Sequence, residues 1–236
     1  MKVFGATFFQ KGSKIKNRKI KNRKTKNGFT FKGKYGIITY TYLRRAFMKQ
    51  LKMIRYKGEY VERALPEGFS FSFFNDTQSD IDAWCDICRA ANMVSSTDNN
   101  EVFRKVMLSV RGIEPTKDIF FVVAPDGKPI ATSTLISRVN DDGLVSGYLH
   151  MVATVPEYRN LGIGHAMLSY AVSLAEARSV DECTLTTDDY RLPAIKNYLV
   201  GGFRPVIYYD PDSDMRSRWL AVAEKLGFFE LNFIEE

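Results

Sequence analysis

Val152-Ala153-Thr154-Val155-Pro156-Glu157-Tyr158-Arg159-Asn160-Leu161-Gly162-Ile163-Gly164-His165-Ala166 reads as a strand that stops, a tight loop and a helix that begins. Pro156 lacks the N–H that a central strand needs, so the strand cannot run through it. The first-turn N–H groups of the helix have no internal partners and lie at the positive end of its dipole. An anion placed there accepts several of them at once. Gly162 and Gly164 carry no Cβ, so the backbone can approach such an anion closely and take up positive φ. Arg159 either reaches the same anion or braces the loop by bonding its carbonyls. A Gly-x-Gly at a helix start also serves as a plain tight turn. A dinucleotide fingerprint asks for a third Gly or Ala where this chain has Met167, and a P-loop asks for Gly-Lys-Ser/Thr, which the chain lacks.

Working outward, Phe69, Phe71 and Phe73 alternate with serines, as in a half-buried strand. Thr77 and Asp80 have capping-box spacing and open a helix through about Ala91. Thr97 opens a second helix with Val102, Phe103, Val106, Met107 and Val110 on one face. Ile119 to Ala124 and Ile130 to Ile136 flank the turn Pro125-Asp126-Gly127-Lys128, a hairpin. Gly147 to Thr154 is the strand that enters the loop. After the loop come a helix from about Gly162 to Arg178 and a strand from Cys183 to Thr187. A helix from Leu192 to Val200 follows, ending at Gly201-Gly202, then a strand from Phe203 to Tyr209 and a helix from Asp212 to Leu226. This order predicts an α/β (α+β) fold, a mixed central sheet with helices on both faces.

Charge divides the chain. Before Glu59 there are 18 Lys/Arg and no acid; from Glu59 onward there are 16 Lys/Arg and 27 Asp/Glu, a net of −11. Residues 1–57 therefore read as a basic arm and 58–236 as an acidic domain. The arm carries a loose repeat from Lys14 to Gly28, then strand-like residues from Phe29 to Tyr42, then a basic stretch from Arg44 to Lys52 that suits a short helix. It either binds nucleic acid or another polyanion, or is a solvated tail, or is an upstream extension. An acidic body suits a cationic substrate such as an amine, and equally serves solubility. No apolar run approaches the ~18 residues of a membrane span, and no signal peptide is apparent, so a cytoplasmic protein is expected. Cys85-x-x-Cys88 falls inside a helix and reads as packing rather than redox chemistry. Three cysteines and two separated histidines predict no metal site.

The stretch Pro156 to Ala166 resembles the acetyl-CoA loop of the GNAT superfamily of N-acetyltransferases, whose signature is Arg/Gln-x-x-Gly-x-Gly/Ala. Downstream, Ala194-Ile195-Lys196-Asn197-Tyr198-Leu199-Val200-Gly201-Gly202-Phe203 is similar to the family's Ala-x-x-x-Tyr-x-x-x-Gly-Phe. Leu65-Pro66-Glu67-Gly68-Phe69 and Trp84 resemble the subgroup like mycothiol synthase. The resemblance covers roughly residues 60 to 210 and leaves the basic arm without a counterpart. It implies transfer of an acetyl group from acetyl-CoA, as co-substrate, to an amine of a small molecule or protein. Val152, Ala153 and Thr154 would pair with the pantetheine arm. The N–H groups of Asn160, Leu161, Gly162, Ile163, Gly164 and His165 would hold the pyrophosphate beside Arg159. A bulge near Met151 would direct an N–H at the thioester carbonyl. Tyr198 would protonate the departing thiolate. The base stays open between Asp188 and His150, with Thr186 at the position where many relatives carry a carboxylate. Arg191 stands where many members have Asn. The competing reading is a binding module that senses acyl-CoA while the arm binds nucleic acid.

Overall fold

The structure, a computed structural model, describes residues 24–25, 28–33, 36–39, 49–211 and 213–236. Residues divide into two units, Met1–Met48 and Lys49–Glu236. In the first, β1 (Lys24–Thr25), β2 (Gly28–Gly33) and β3 (Gly36–Thr39) form an antiparallel sheet in that order. The strand-like reading of Phe29 to Tyr42 thus holds over β2 and β3. The start of the repeat, residues 14–23, and the basic stretch 44–48 lie outside the described residues.

In the second unit, eight strands make one mixed sheet: β4 (Leu51–Tyr56), β5 (Ser70–Phe73), β6 (Ile119–Val123), β7 (Pro129–Val139), β8 (Val145–Thr154), β9 (Glu182–Thr187), β10 (Arg204–Ile207) and β11 (Ile234–Glu235). Their spatial order is β11-β10-β4-β9-β8-β7-β6-β5. Six α-helices accompany them: α1 (Gln78–Ala90), α2 (Asn99–Phe103), α3 (Pro115–Asp118), α4 (Ile163–Ala177), α5 (Leu192–Val200) and α6 (Met215–Leu226). The fold class expected from the sequence is the one observed.

Strand alternation divides the interior into two cores. Phe120 and Val122 join the larger one with Leu149, Leu185 and the residues of α4, α5 and α6. Ile119 and Phe121, their neighbours on β6, join the other with Trp84, Cys85 and Cys88 of α1 and Phe103 of α2. The two cysteines of the Cys-x-x-Cys pair are fully buried. Burial pushes the Cys85 thiol up to about 11 and the Cys88 thiol higher still, which suits packing residues.

Two helix starts differ from the sequence reading. Asp98, not Thr97, caps α2 by accepting from Glu101 N, and α2 gives way after one turn to a π-helical segment at Arg104–Leu108. Asp214 caps α6, so that helix begins at Met215 rather than near Asp212.

The larger correction concerns β4. The charge pattern places residues 49–57 in the arm, with a helix reaching Lys52. They instead form a strand between β9 and β10, antiparallel to both, with Leu51 opposite Thr187 and Met53 opposite Leu185. Leu51 and Met53 are fully buried. Arg55 is only 6% exposed, because its guanidinium donates to Gly58 O at 2.7 Å and Glu59 O at 3.2 Å and lies 3.8 Å from Glu176. A paired, hydrogen-bonded cation can be buried where a lone one cannot. Charge count therefore misread a core strand as surface.

Since β4 bridges β9 and β10, its buried side chains hold the sheet together. Met53→Ala should lower unfolding free energy by about 2–5 kcal/mol in denaturant melts, the usual cost of such a cavity. A chain beginning at Gly58 should lose its cooperative transition altogether.

Candidate active site

The site begins where two neighbouring strands part. β8 and β9 run parallel and pair from Ser146↔Glu182 to Leu149↔Leu185. Beyond that pair β8 continues to Thr154 alongside β7, while β9 continues to Thr187 alongside β4. Each strand keeps its outer neighbour and loses its inner one, so a cleft opens between them. Along β8, Val155 N–H bonds Ile130 O on the β7 side at 3.0 Å. The alternation of a strand then turns the backbone groups of Val152 and Thr154 toward the cleft. Thr154 O accepts from Arg159 Nε at 3.2 Å, so Arg159 braces the loop onto the strand end.

The bulge expected near Met151 is present. Thr134 pairs with His150 and Thr132 with Ala153, leaving Met151 and Val152 together opposite Ser133. Met151 sits at φ 52°, a left-handed conformation uncommon for a side-chain-bearing residue. Such bulges re-aim backbone groups beside active sites.

The loop that follows β8 turns through a short 3₁₀ segment, Pro156–Tyr158, and two left-handed residues, Asn160 at φ 64° and Gly162 at φ 82°. Gly162 is the N-cap of α4, and its carbonyl accepts from both His165 N and Ala166 N at 3.1 Å. The N–H of His165 is therefore engaged. Those of Asn160, Leu161, Gly162, Ile163 and Gly164 meet no acceptor among the described residues. A Cβ built on Gly162 would find open space, and one on Gly164 would sit 3.6 Å from Asn197 Nδ2.

Tyr198 lies on α5, near enough to Tyr148 of β8 for the two hydroxyls to influence each other. The helix packs tightly on α4 at Gly201, where a Cβ would come within 2.4 Å of Leu168 Cδ2. It ends in a Schellman motif: Gly202 is left-handed, Phe203 N–H bonds Tyr198 O at 2.9 Å, and Gly202 N–H bonds Leu199 O at 3.1 Å. Asn197 Nδ2 donates to Gly164 O at 2.9 Å, tying α5 to the first turn of α4, while Asn197 Oδ1 is buried without a partner among the described residues. Tyr198 is 7% exposed, and its hydroxyl makes no hydrogen bond among the described residues. Burial raises it to about 12, opposed by the Arg191 charge and supported by nearby Tyr148.

The two candidate bases differ in freedom. Asp188 has both oxygens committed, Oδ1 to Gln50 Nε2 and Oδ2 to Arg191 Nε, each at 3.2 Å. His150 is half-buried on β8, stacked against Tyr148 with ring centroids 5.7 Å apart. Its Nε2 lies 3.2 Å from Val106 O in the π-helical segment. A carbonyl only accepts, so Nε2 carries the hydrogen and Nδ1 is left as acceptor. Burial lowers the imidazole below its usual value, which keeps it neutral at pH 7. Sequence reasoning missed Tyr148 and Gln50. Tyr148 shares its strand face with His150 by period-two alternation, which was legible; Gln50 reaches the site only through the sheet.

A phenol held above its ordinary value gives a testable sign. Tyr198 has a folded value of about 12 against an ordinary 10.0, so the native state retains the proton longer than the unfolded chain. Stability is insensitive to this group below pH 10 and falls between pH 10 and about 12, by an amount on the order of 2–3 kcal/mol. Denaturant melts across that range should show the fall in the native chain and less of it in Tyr198→Phe.

The chain matches the acetyltransferase (GNAT) family over residues 83–203. Among solved structures it is similar to a GCN5-related N-acetyltransferase from Sphaerobacter thermophilus, with 18% identity and a TM-score of 0.51, covering 70% of this chain and 52% of that one. It is also similar to a GCN5-related N-acetyltransferase from Kribbella flavida, with 19% identity and a TM-score of 0.45, covering 67% of this chain and 55% of that one. The chain thus spans about half the length of these two proteins. No curated protein sequence matches it. Among the described residues no helix is long and apolar enough to cross a membrane. With more than half of its residues in the matched region, the chain belongs to the GNAT acetyltransferase family.

Proposed function

We propose that the chain transfers an acetyl group from acetyl-CoA to an amine of a small molecule or protein. One observation carries this reading: the parted β8 and β9 have unpaired backbone at their mouth, a helix start with free N–H groups on one side and an unpartnered Tyr198 hydroxyl. The donor set fits the parts of acetyl-CoA. The free N–H groups from Asn160 to Gly164 suit a pyrophosphate. The cleft edge of Val152 and Thr154 suits the amides of a pantetheine arm, as an added strand pairs with an edge. The orphaned Asn197 Oδ1 suits a ligand donor, since buried polar atoms are normally paired.

Acetyl-CoA supplies the activated acyl group. The re-aimed backbone at the Met151 bulge would offer an N–H to the thioester oxygen as negative charge grows there. The amine nitrogen forms the new C–N bond while the C–S bond breaks and its pair stays on sulfur. A lysine-like amine, with a pKa near 10.4, costs about 4.6 kcal/mol to deprotonate at pH 7. His150, neutral and with Nδ1 open, supports the role of proton acceptor better than Asp188, whose oxygens are both engaged.

Tyr198 faces a different constraint. With its pKa at about 12 it is a weaker acid than a thiol of about 8.5. Its hydroxyl therefore acts by donating a hydrogen bond to sulfur as charge develops, full proton transfer remaining uphill even to the formed thiolate, which leaves as CoA thiolate and takes its proton from water. Tyr198→Phe should lower kcat by about 10²- to 10³-fold, the cost of one lost donor to developing charge. The KM for acetyl-CoA should stay nearly constant. A thioester of an acidic aryl thiol should partly restore the rate. Wild-type turnover by Tyr198→Phe, with chemistry limiting, would place the donor elsewhere.

A further inference from the structure

At the mouth of the cleft a chain of side-chain hydrogen bonds crosses three strands' worth of sheet. Tyr148 Oη lies 3.1 Å from Thr186 Oγ1, Thr186 Oγ1 lies 3.0 Å from Gln50 Oε1, and Gln50 Nε2 lies 3.2 Å from Asp188 Oδ1. Arg191 Nε closes the far end on Asp188 Oδ2 at 3.2 Å.

The direction of every link follows from its last member. A carboxylate only accepts, so the amide group of Gln50 must face Asp188 and its Oε1 must face Thr186. Gln50 Oε1 also only accepts, so Thr186 must donate its one hydrogen to it. Thr186 is then left as acceptor for Tyr148, whose hydroxyl hydrogen must point along the chain. With that hydrogen committed, the remaining lone pair of Tyr148 Oη can only accept.

Gln50 is held for this purpose by contacts outside the chain. Its carbonyl accepts from the Tyr208 hydroxyl, and the carbonyl of its neighbour Lys49 accepts from Arg218 at 2.9 Å. Arg218 itself is fixed on Asp189 through Nε at 3.0 Å. Tyr148 stands one residue before the last β8–β9 pair and is near enough to Tyr198 to affect its ionisation. It therefore stands beside the point where β8 and β9 part.

Resting on the acetyl-transfer reading, we infer that Tyr148 Oη is the acceptor that receives an N–H of the substrate amine, with Thr186, Gln50 and Asp188 as positioning residues that fix its polarity. An acceptor at this place leaves the nitrogen lone pair free for attack. A freely rotating hydroxyl would instead donate to that lone pair and block it. The chain orients and does not conduct: a primary amide passes a proton only through its imidic tautomer, so Tyr148 is no route to Asp188. Gln50, immediately before β4, lies outside the family-matched region, residues 83–203.

The test is CoA-thiol release by the full chain with acetyl-CoA and three acceptors: cadaverine, glucosamine and a lysine-bearing peptide. Absence of turnover by the wild type on all three would remove the acetyl-transfer reading and this inference with it. Given turnover on any of them, Tyr148→Phe and Thr186→Val should each lower kcat/KM for that amine about tenfold, the upper end of the worth of one hydrogen bond between neutral groups. KM for acetyl-CoA should change less than twofold in both. Thr186→Ser, which keeps the relay oxygen, should stay within threefold of wild type. The double variant should be no worse than Tyr148→Phe alone, because Thr186 acts through Tyr148. Additive losses, a Thr186→Ser as impaired as Thr186→Val, or an unaffected Tyr148→Phe would overturn the assignment while leaving acetyl transfer intact.

Discussion

Two parallel strands that stop pairing halfway organise the site. β8 and β9 share a ladder only through Leu149 and Leu185, and past it each is held by its outer neighbour alone. An unpaired strand edge inside a protein is costly, since backbone N–H and C=O groups demand partners. On the proposed reading, the bound co-substrate would offset that cost. The open backbone of β8 offers the hydrogen-bonding pattern that a missing strand would have taken, and a ligand with amides can supply it. The bulge at Met151 and the loop braced by Arg159 both follow from that one gap, on the strand that borders it.

What keeps the gap open is packing on either side. α4 and α5 close on each other at Gly201 and Leu168, which fixes the angle at which Tyr198 enters. On the far side β4 fills the place between β9 and β10, so β9 cannot relax toward β8 without losing six register pairs with β4. The same strand segment brings Gln50 to the mouth. Sheet architecture and site chemistry are therefore joined through one short piece of chain, Lys49 to Tyr56.

How far the sequence reached follows from which signals are local. The loop and the Ala194–Phe203 segment were legible because glycine conformations and helix ends are written in adjacent residues, and the Schellman motif at Gly202 is a case in point. The bulge was legible only through resemblance. The cap of α2 was placed one residue early because Thr97 and Asp98 are both competent caps, and only the backbone decides between them. β4 was illegible because its period-two pattern, Leu51 and Met53 in one core with Arg55 beside them, was masked by the basic residues around it. Asp188 looked free in sequence; Arg191 and Gln50, three and 138 residues away, occupy it in space. A non-local partner leaves no trace in a single sequence.

The central claim is that acetyl-CoA completes the parted sheet and caps the start of α4. Residue-resolved amide hydrogen exchange, with and without acetyl-CoA, measures that directly. The account predicts that saturating acetyl-CoA slows exchange at Val152 and Thr154, and at the amides of Leu161 to Gly164. Amides of β5 and β6, remote from the cleft, should be unchanged. Tight binding of acetyl-CoA with no added protection at those residues would contradict the account.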